Sequence, residues 1–287
     1  MPAASASTSH SLRTQIAYGA NLLNACTTPR LDAELLLAHV IQRPRTALFA
    51  HPDDVLSDNQ LRHYHELLAQ RVAGKPLAYI TGEREFWSRT FEVTEATLIP
   101  RPETELLVER ALNHLPSEQK HSLLDLGTGT GIIAITLACE RPQLTVTATD
   151  ASPAAVTVAK ANAATHCNDR IVFIQSDWFA ALTKQKYNLI VSNPPYVAAA
   201  DTCLQHGETS FEPRSALAAG EAGLDDLTKI ISTAPTFLNR HGWLLLEHGT
   251  AQADAVQSLL TAAGFERIQT HRDLAGHDRV TEAQWLK

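Results

Sequence analysis

Cysteine is scarce and scattered. The 287-residue chain carries four, Cys26, Cys139, Cys167 and Cys203, and no two of them form a C-x-x-C pair. That argues against a disulfide framework or a structural zinc site, and it fits a reducing compartment, the cytoplasm. Long apolar runs are missing too. The stretch around Leu35–Leu37 and Val40–Ile41 is broken by His39, and no run approaches the ~18 apolar residues that a membrane-spanning helix needs. Basic charge is not in excess, since 24 Lys and Arg stand against 31 Asp and Glu, a net charge of −7. Tight non-specific binding to a phosphate backbone, which Lys and Arg drive, is therefore not expected. The first ten residues have no apolar core of the secretory kind. They are Ser-rich and no acid precedes Asp32, yet Arg13 is the only Lys or Arg before Arg30. A frayed N-terminus is expected rather than a transit peptide.

Hydrophobic residues make up 44% of the chain, which suits a globular protein of one large or two smaller domains. Residues 12–72 read as a helical module. Thr28-Pro29 opens a helix, and Leu31, Leu35, Leu36, Val40 and Ile41 recur at helical spacing. Ser57 opens another, which Gly74 and Pro76 end. We therefore expect an N-terminal helical domain over 1–76. Residues 77–100 turn to β-type side chains with polar breaks, a hairpin or linker. An amphipathic helix runs from about Glu103 to His114. Apolar runs at Ser122–Leu126, Leu144–Thr149, Ile171–Ile174, Tyr187–Ser192 and Trp243–Glu247 then alternate with helical stretches. This predicts an α/β domain over 101–287, with a mostly parallel sheet covered by helices on both faces. The tail, Phe265–Gln269 and Arg279–Leu286, adds two strands, one of them antiparallel.

Chemistry gathers at the ends of the predicted strands. Asp125-Leu126-Gly127-Thr128-Gly129-Thr130-Gly131 lies where the first strand of this sheet hands over to a helix. It departs from the dinucleotide fingerprint G-x-G-x-x-G because Ile132 stands at the third glycine position. A G-x-G-x-G turn suits a nucleoside ligand without phosphates, such as S-adenosyl-L-methionine. Asp150 ends the next strand, 19 residues after Gly131, near the spacing at which a carboxylate meets ribose hydroxyls; the competing reading is a helix cap. Asp125 is a weaker candidate for the amino-acid end of the ligand. Asp177-Trp178 follows the third strand, where Trp can stack on a base and Asp can accept its exocyclic N–H.

Asn193-Pro194-Pro195-Tyr196 ends the fourth strand, the expected switch-point crevice. Methyl transfer from a sulfonium needs an in-line nucleophile, and a planar amide nitrogen has a delocalised lone pair. Two acceptors, the Asn193 side-chain carbonyl and the Pro194 backbone carbonyl, can take both N–H groups and hold the nitrogen partly out of conjugation. Prolines restrict their neighbours and lack N–H donors, so the acceptors are fixed in direction. Tyr196 offers a flat face. Asn193 and Pro194 are the candidate catalytic pair.

These residues resemble the peptide chain release factor glutamine methyltransferases, a branch of the class I S-adenosylmethionine-dependent enzymes. The likeness runs from about residue 12 to the C-terminus. It rests on Pro76–Gly82, Glu85–Trp87, Leu98–Glu105, Asp125–Gly131, Asn193–Tyr196, Phe211–Pro213 and Leu245–Gly249 in the family's order. The resemblance implies a Rossmann-like class I methyltransferase fold with a small N-terminal domain that docks the substrate. It also implies methylation of the glutamine side-chain nitrogen in the Gly-Gly-Gln motif of bacterial-type class I release factors, with S-adenosyl-L-homocysteine as product. By motif position Gly127, Thr128, Gly129, Thr130, Gly131, Asp150, Trp178 and Asn193 would bind the donor. Asn193, Pro194, Pro195 and Tyr196 would hold the glutamine amide. One departure is Ala222, where an acid is common in the family. No metal site is expected, because His63 and His65 point to different helix faces. The Glu83–Glu85 and Glu103–Glu105 carboxylates read as solvated, His248 reads as structural, and the role of Arg101 is left open. Rival readings are a DNA or RNA exocyclic-amine methyltransferase and a non-catalytic nucleoside-binding module. Neither direct nucleic-acid binding nor a membrane is expected.

Overall fold

Start signals fix the first helices. The computed structural model describes residues 10–167, 170–183 and 185–287; of the first ten residues, expected to fray, all but His10 lie outside them. Helix α1 (Leu12–Leu22) is capped by Ser11, whose hydroxyl accepts from the Thr14 amide. Helix α2 (Pro29–Ile41) has its proline in the first turn, where no intrahelical N–H is needed. After α3 (Thr46–Ala50), α4 (Asp58–Val72) opens with a capping box between Ser57 and Gln60, and α5 (Leu77–Thr81) ends on Gly82. Leu12, Leu36, Leu37, Leu48, Tyr64 and Leu68 form their core. Leu31 is on the exposed side of α2, so Leu37 and Ala33 complete the buried stripe instead. The Tyr64 hydroxyl lies 3.2 Å and 3.3 Å from the carbonyls of Ala33 and Gln15, tying α1, α2 and α4. Arg71 and Asp32 pair at 2.8 Å with both side chains buried. Ser57→Ala should cost this unit about 1 kcal/mol, the usual worth of an N-cap. Thermal unfolding followed by circular dichroism reads it as a lowered Tm.

The chain divides into two compact units, Met1–Gly82 and Glu83–Lys287. The 77–100 stretch is thus shared: α5 belongs to the first unit, and a hairpin belongs to the second. That hairpin pairs β1 (Glu83–Phe86) with β2 (Arg89–Glu92). Its two turn residues, Trp87 and Ser88, have φ of 52° and 56°, the left-handed pair that a tight hairpin with the natural strand twist requires. Neither is glycine. Glu105 stabilises the turn by accepting from the Trp87 amide at 3.0 Å, so this carboxylate is not merely solvated.

The second unit continues through α6 (Thr104–Asn113), β3 (Ser122–Leu126), α7 (Ile132–Glu140), β4 (Thr145–Asp150), α8 (Pro153–His166), β5 (Ile171–Gln175) and β6 (Tyr187–Ser192). It ends with α9 (Asp225–Thr233), β7 (Leu238–Glu247), α10 (Ala253–Ala263), β8 (Glu266–Arg272) and β9 (Asp278–Trp285). The seven strands lie in the order β5-β4-β3-β6-β7-β9-β8. Strands β3 to β7 are parallel, and β9 is inserted antiparallel between β7 and β8. Alternation along β3 feeds two cores. Leu123 packs with α6 and α7, while Leu124 and Leu126 pack with α9 and α10. The sheet is therefore covered on both faces. From β3 the chain winds outward to β4 and β5, then returns to β6 on the other side of β3. This reversal opens a crevice at the carboxyl ends of β3 and β6. Among the described residues no helix is long and apolar enough to cross a membrane.

Candidate active site

The turn after β3 is held by its own backbone. The amides of Gly127 and Thr128 both donate to the Thr149 carbonyl at 2.9 Å, and that of Gly131 donates to Thr128 at 2.8 Å. The Gly129 amide donates to Asp150 Oδ2 at 2.9 Å. These four N–H groups are spent inside the protein, so they do not form a cradle for a pyrophosphate. A ligand here meets the loop's surface and the carboxylate beside it.

That ligand space is a cavity of about 400 Å³, within the ~300–1,000 Å³ usual for small-molecule sites. Gly127, Thr128, Gly129, Thr130, Asp150, Trp178, Asn193 and Pro195 all line it. Gly131 does not. Its φ is +86°, and a Cβ there would lie 2.7 Å from Ile135 Cδ1 and 3.3 Å from Ala159 Cβ, so this glycine serves the packing of α7 on α8. Gly127 serves the site directly, because a Cβ there would lie 3.2 Å from the Trp178 ring, tighter than an ordinary contact. Trp178 itself has φ of 48° and donates its indole N–H to Asp226 at 3.3 Å.

Asp150 points its second oxygen at the Ser152 amide, 2.9 Å away. The cap of α8 is Ser152, not Asp150. Burial raises the Asp150 pKa, and the Ser152 and Gly129 amides pull it back. Each carboxylate oxygen keeps a lone pair beyond these bonds, available to a hydroxyl in the cavity. Asp125 is placed differently from the expectation. It lies under the loop, accepting from the Thr128 hydroxyl at 2.7 Å and the Ala134 amide at 3.3 Å, and it is absent from the cavity wall. Complete burial pushes its carboxyl up to about 7.

A second cavity of about 190 Å³ adjoins the first, lined by Pro194, Tyr196, Val197, Thr209 and Leu217 among others. Leu98, Arg101, Asn193 and Ala216 line both. The Asn193 amide nitrogen donates to Thr104 Oγ1 at 3.2 Å, which leaves its carbonyl oxygen as the group presented to the cavities. The Tyr196 carbonyl accepts from Gln252 Nε2 at 3.0 Å, and the same nitrogen reaches the Ala222 and Gly223 carbonyls. Gly223, at φ +71°, permits this, since a Cβ would fall 2.2 Å from Tyr196 O. Burial pushes the Tyr196 hydroxyl up to about 12. Arg101 pairs with Glu212, whose other oxygen accepts from the Ile99 amide at 3.2 Å. The Phe211–Pro213 and Leu98–Glu105 blocks thus clasp each other at the cavity mouth. His248 is buried in a bonded network with Thr281 and the Gly249 carbonyl. Thr97, Thr104, Asp226 and Gln252 escaped the residue-by-residue reading. Thr104 alone lay inside a block singled out by resemblance.

Residues 103–216 match the Methyltransferase small domain family and residues 15–82 the PrmC N-terminal domain family. The "Release factor glutamine methyltransferase" of Salmonella typhimurium is 48% identical over 261 residues, 91% of this chain and 94% of that one. Its namesake from Escherichia coli K12 is 46% identical over 265 residues, 92% and 95% of the two chains. The chain belongs to the release factor glutamine methyltransferase family. A solved T. thermophilus 16S rRNA N2 G1207 methyltransferase, in complex with AdoMet and guanosine, has a TM-score of 0.52 at 20% identity, covering 71% of this chain and 49% of that one. That is a likeness of fold. Membership in the release factor glutamine methyltransferase family accounts for the presence of both family domains in one chain.

Proposed function

We propose that this chain transfers the methyl group of S-adenosyl-L-methionine to the side-chain amide nitrogen of the Gly-Gly-Gln glutamine in class I peptide chain release factors, releasing S-adenosyl-L-homocysteine. Family membership supports the reaction and the substrate. The observation that carries the site assignment is the position of Asn193 at the junction of the two cavities, with its nitrogen turned away to Thr104. The larger cavity fits the donor. Its walls offer a carboxylate for ribose hydroxyls in Asp150, an indole for the adenine in Trp178, and a loop in which the Gly127, Thr128, Gly129 and Gly131 amides are already bonded within the protein. The donor, when bound, supplies a methyl group on a sulfonium.

The protein's own part is capture and orientation. Asn193 Oδ1 and the Pro194 carbonyl accept from the two N–H groups of the glutamine amide, and the Tyr196 ring covers its plane. This holds the nitrogen partly out of conjugation and stabilises the positive charge that grows on it. The nitrogen becomes acidic as it is alkylated, and its proton passes to water. The N-terminal unit is the docking surface for the release factor in this reading. It exposes the apolar side chains of Tyr18, Leu22, Leu31, Phe49, Val55 and Val72, which a docked partner would cover. A substrate from the translation apparatus places the enzyme in the cytoplasm.

Mass spectrometry of a release factor after reaction with the donor tests the assignment. The added methyl should map to the Gly-Gly-Gln glutamine, with none on a nucleic-acid control. Methyl found only on the nucleic acid would overturn it.

A further inference from the structure

Glu247 closes β7, one step beyond the Leu246 that pairs with Ser192, so it stands beside Asn193 across the parallel ladder. It is 1% exposed. Neither carboxylate oxygen makes a well-aligned hydrogen bond. The donors facing it are the Thr104 hydroxyl and the Asn193 amide, and the charged or titratable groups around it are Arg279 in β9, Glu103 ahead of α6 and Tyr196 after β6. A buried carboxyl with no ion pair in contact costs stability. Its place beside the reacting amide gives a reason to keep it.

We propose that Glu247 is a positioning residue that fixes the orientation of the Asn193 amide through the Thr104 hydroxyl. This rests on the amide-holding role argued above. Thr104 Oγ accepts from Asn193 Nδ2 at 3.2 Å, so its own proton must point elsewhere. An ionised Glu247 can only accept. The hydrogen bonds then run one way, from Asn193 N–H to Thr104 and from Thr104 toward the carboxylate. The Asn193 carbonyl is left facing the cavities. Protonated Glu247 has an O–H to give. The chain of bonds can reverse, with Thr104 donating to Asn193 and the amide turned over, so that its NH₂ meets the substrate's own N–H groups.

Burial pushes the Glu247 carboxyl up to about 7, with Thr104, Arg279 and Asn193 pulling it down and Glu103 raising it. Activity should therefore fall as pH drops through neutrality, and the loss should appear in kcat. Asp125 titrates in the same range, but it lies beneath the donor loop, and saturating donor removes its contribution.

The test compares the full-length enzyme with Glu247→Gln, Thr104→Val and Asn193→Ala, using S-adenosyl-L-methionine and a release factor. Glu247→Gln should lower kcat about tenfold, the worth of one oriented hydrogen bond. Donor affinity by calorimetry should stay within about twofold, because no donor-contacting group changes, and the acid limb of kcat should disappear. Thr104→Val should lower kcat in the same sense, and it carries the test if Glu247→Gln fails to fold. An unchanged kcat and acid limb in the Glu247 and Thr104 variants, beside a disabled Asn193→Ala, would overturn the positioning role and leave the amide-holding role standing. An active Asn193→Ala would overturn both.

Discussion

Asn193→Ala is expected to lower kcat by roughly 10²–10³ at saturating donor, the usual cost of removing one preorganised polar group from a reacting centre. The size follows from what the side chain does in the two states. Ground-state glutamine is a neutral, planar amide that hydrogen-bonds equally well to water. As the methyl arrives, the nitrogen loses resonance and gains positive charge, so a carbonyl oxygen held against its N–H matters most at that moment. The fixed orientation has a visible cause, since the Asn193 nitrogen is held by Thr104 at 3.2 Å. Donor affinity should fall only slightly, because Asp150, Trp178 and the glycine loop remain. Steady-state kinetics with a release factor, together with donor calorimetry, separates the two effects. Wild-type turnover in this variant would remove Asn193 from the chemistry.

How much of this was legible before the structure depended on where the physical signal lay. Strands β3 and β6 coincide with the predicted Ser122–Leu126 and Tyr187–Ser192, because strands buried on both faces carry apolar residues on both sides rather than on alternate positions. Strand β7 begins earlier than the predicted Trp243, at Leu238. Its first half contains Asn239, Arg240 and His241, which carry no hydrophobic signal, and His241 has a positive φ of 66°. The antiparallel tail strand was expected, but its insertion between β7 and β8 was not readable, since strand order is set by tertiary packing. At the site, the two local signatures led straight to the two cavities. Gly131 looked like its loop neighbours, and only the packing of α7 on α8 shows its separate task. Glu247 was invisible as an individual residue. A lone glutamate reads as surface, and its burial beside Thr104 and Asn193 joins residues from three distant segments.

Asp150→Ala should act on the other half of the reaction. It removes the carboxylate that faces the donor cavity, and hydrogen bonds from neutral hydroxyls to a charged acceptor are worth about 1.5–3 kcal/mol each. Donor affinity should weaken about 100-fold, since every 1.4 kcal/mol is a factor of ten. The loss has two sources. The ribose hydroxyls lose their acceptor, and Gly129 loses the 2.9 Å bond that fixes the loop against β4. Asp150→Asn separates them, because an amide oxygen can still accept from Gly129 while the charge is gone; its affinity should fall between the two. Burial raises the Asp150 pKa, so wild-type donor binding should also weaken on acidification as this carboxylate takes up a proton, and the alanine variant should not share this trend. At saturating donor, kcat of Asp150→Ala should stay within about tenfold of wild type, as expected when mainly uniform binding is lost. The fold should survive, because the deleted group is a carboxylate whose burial already costs energy. Isothermal calorimetry from pH 5.5 to 8 measures the affinities. A variant that binds donor as tightly as wild type would detach Asp150 from the ribose and leave it as a brace for the loop, whereas a kcat loss as large as that of Asn193→Ala would mean that the two cavities do not divide the labour between donor and amide.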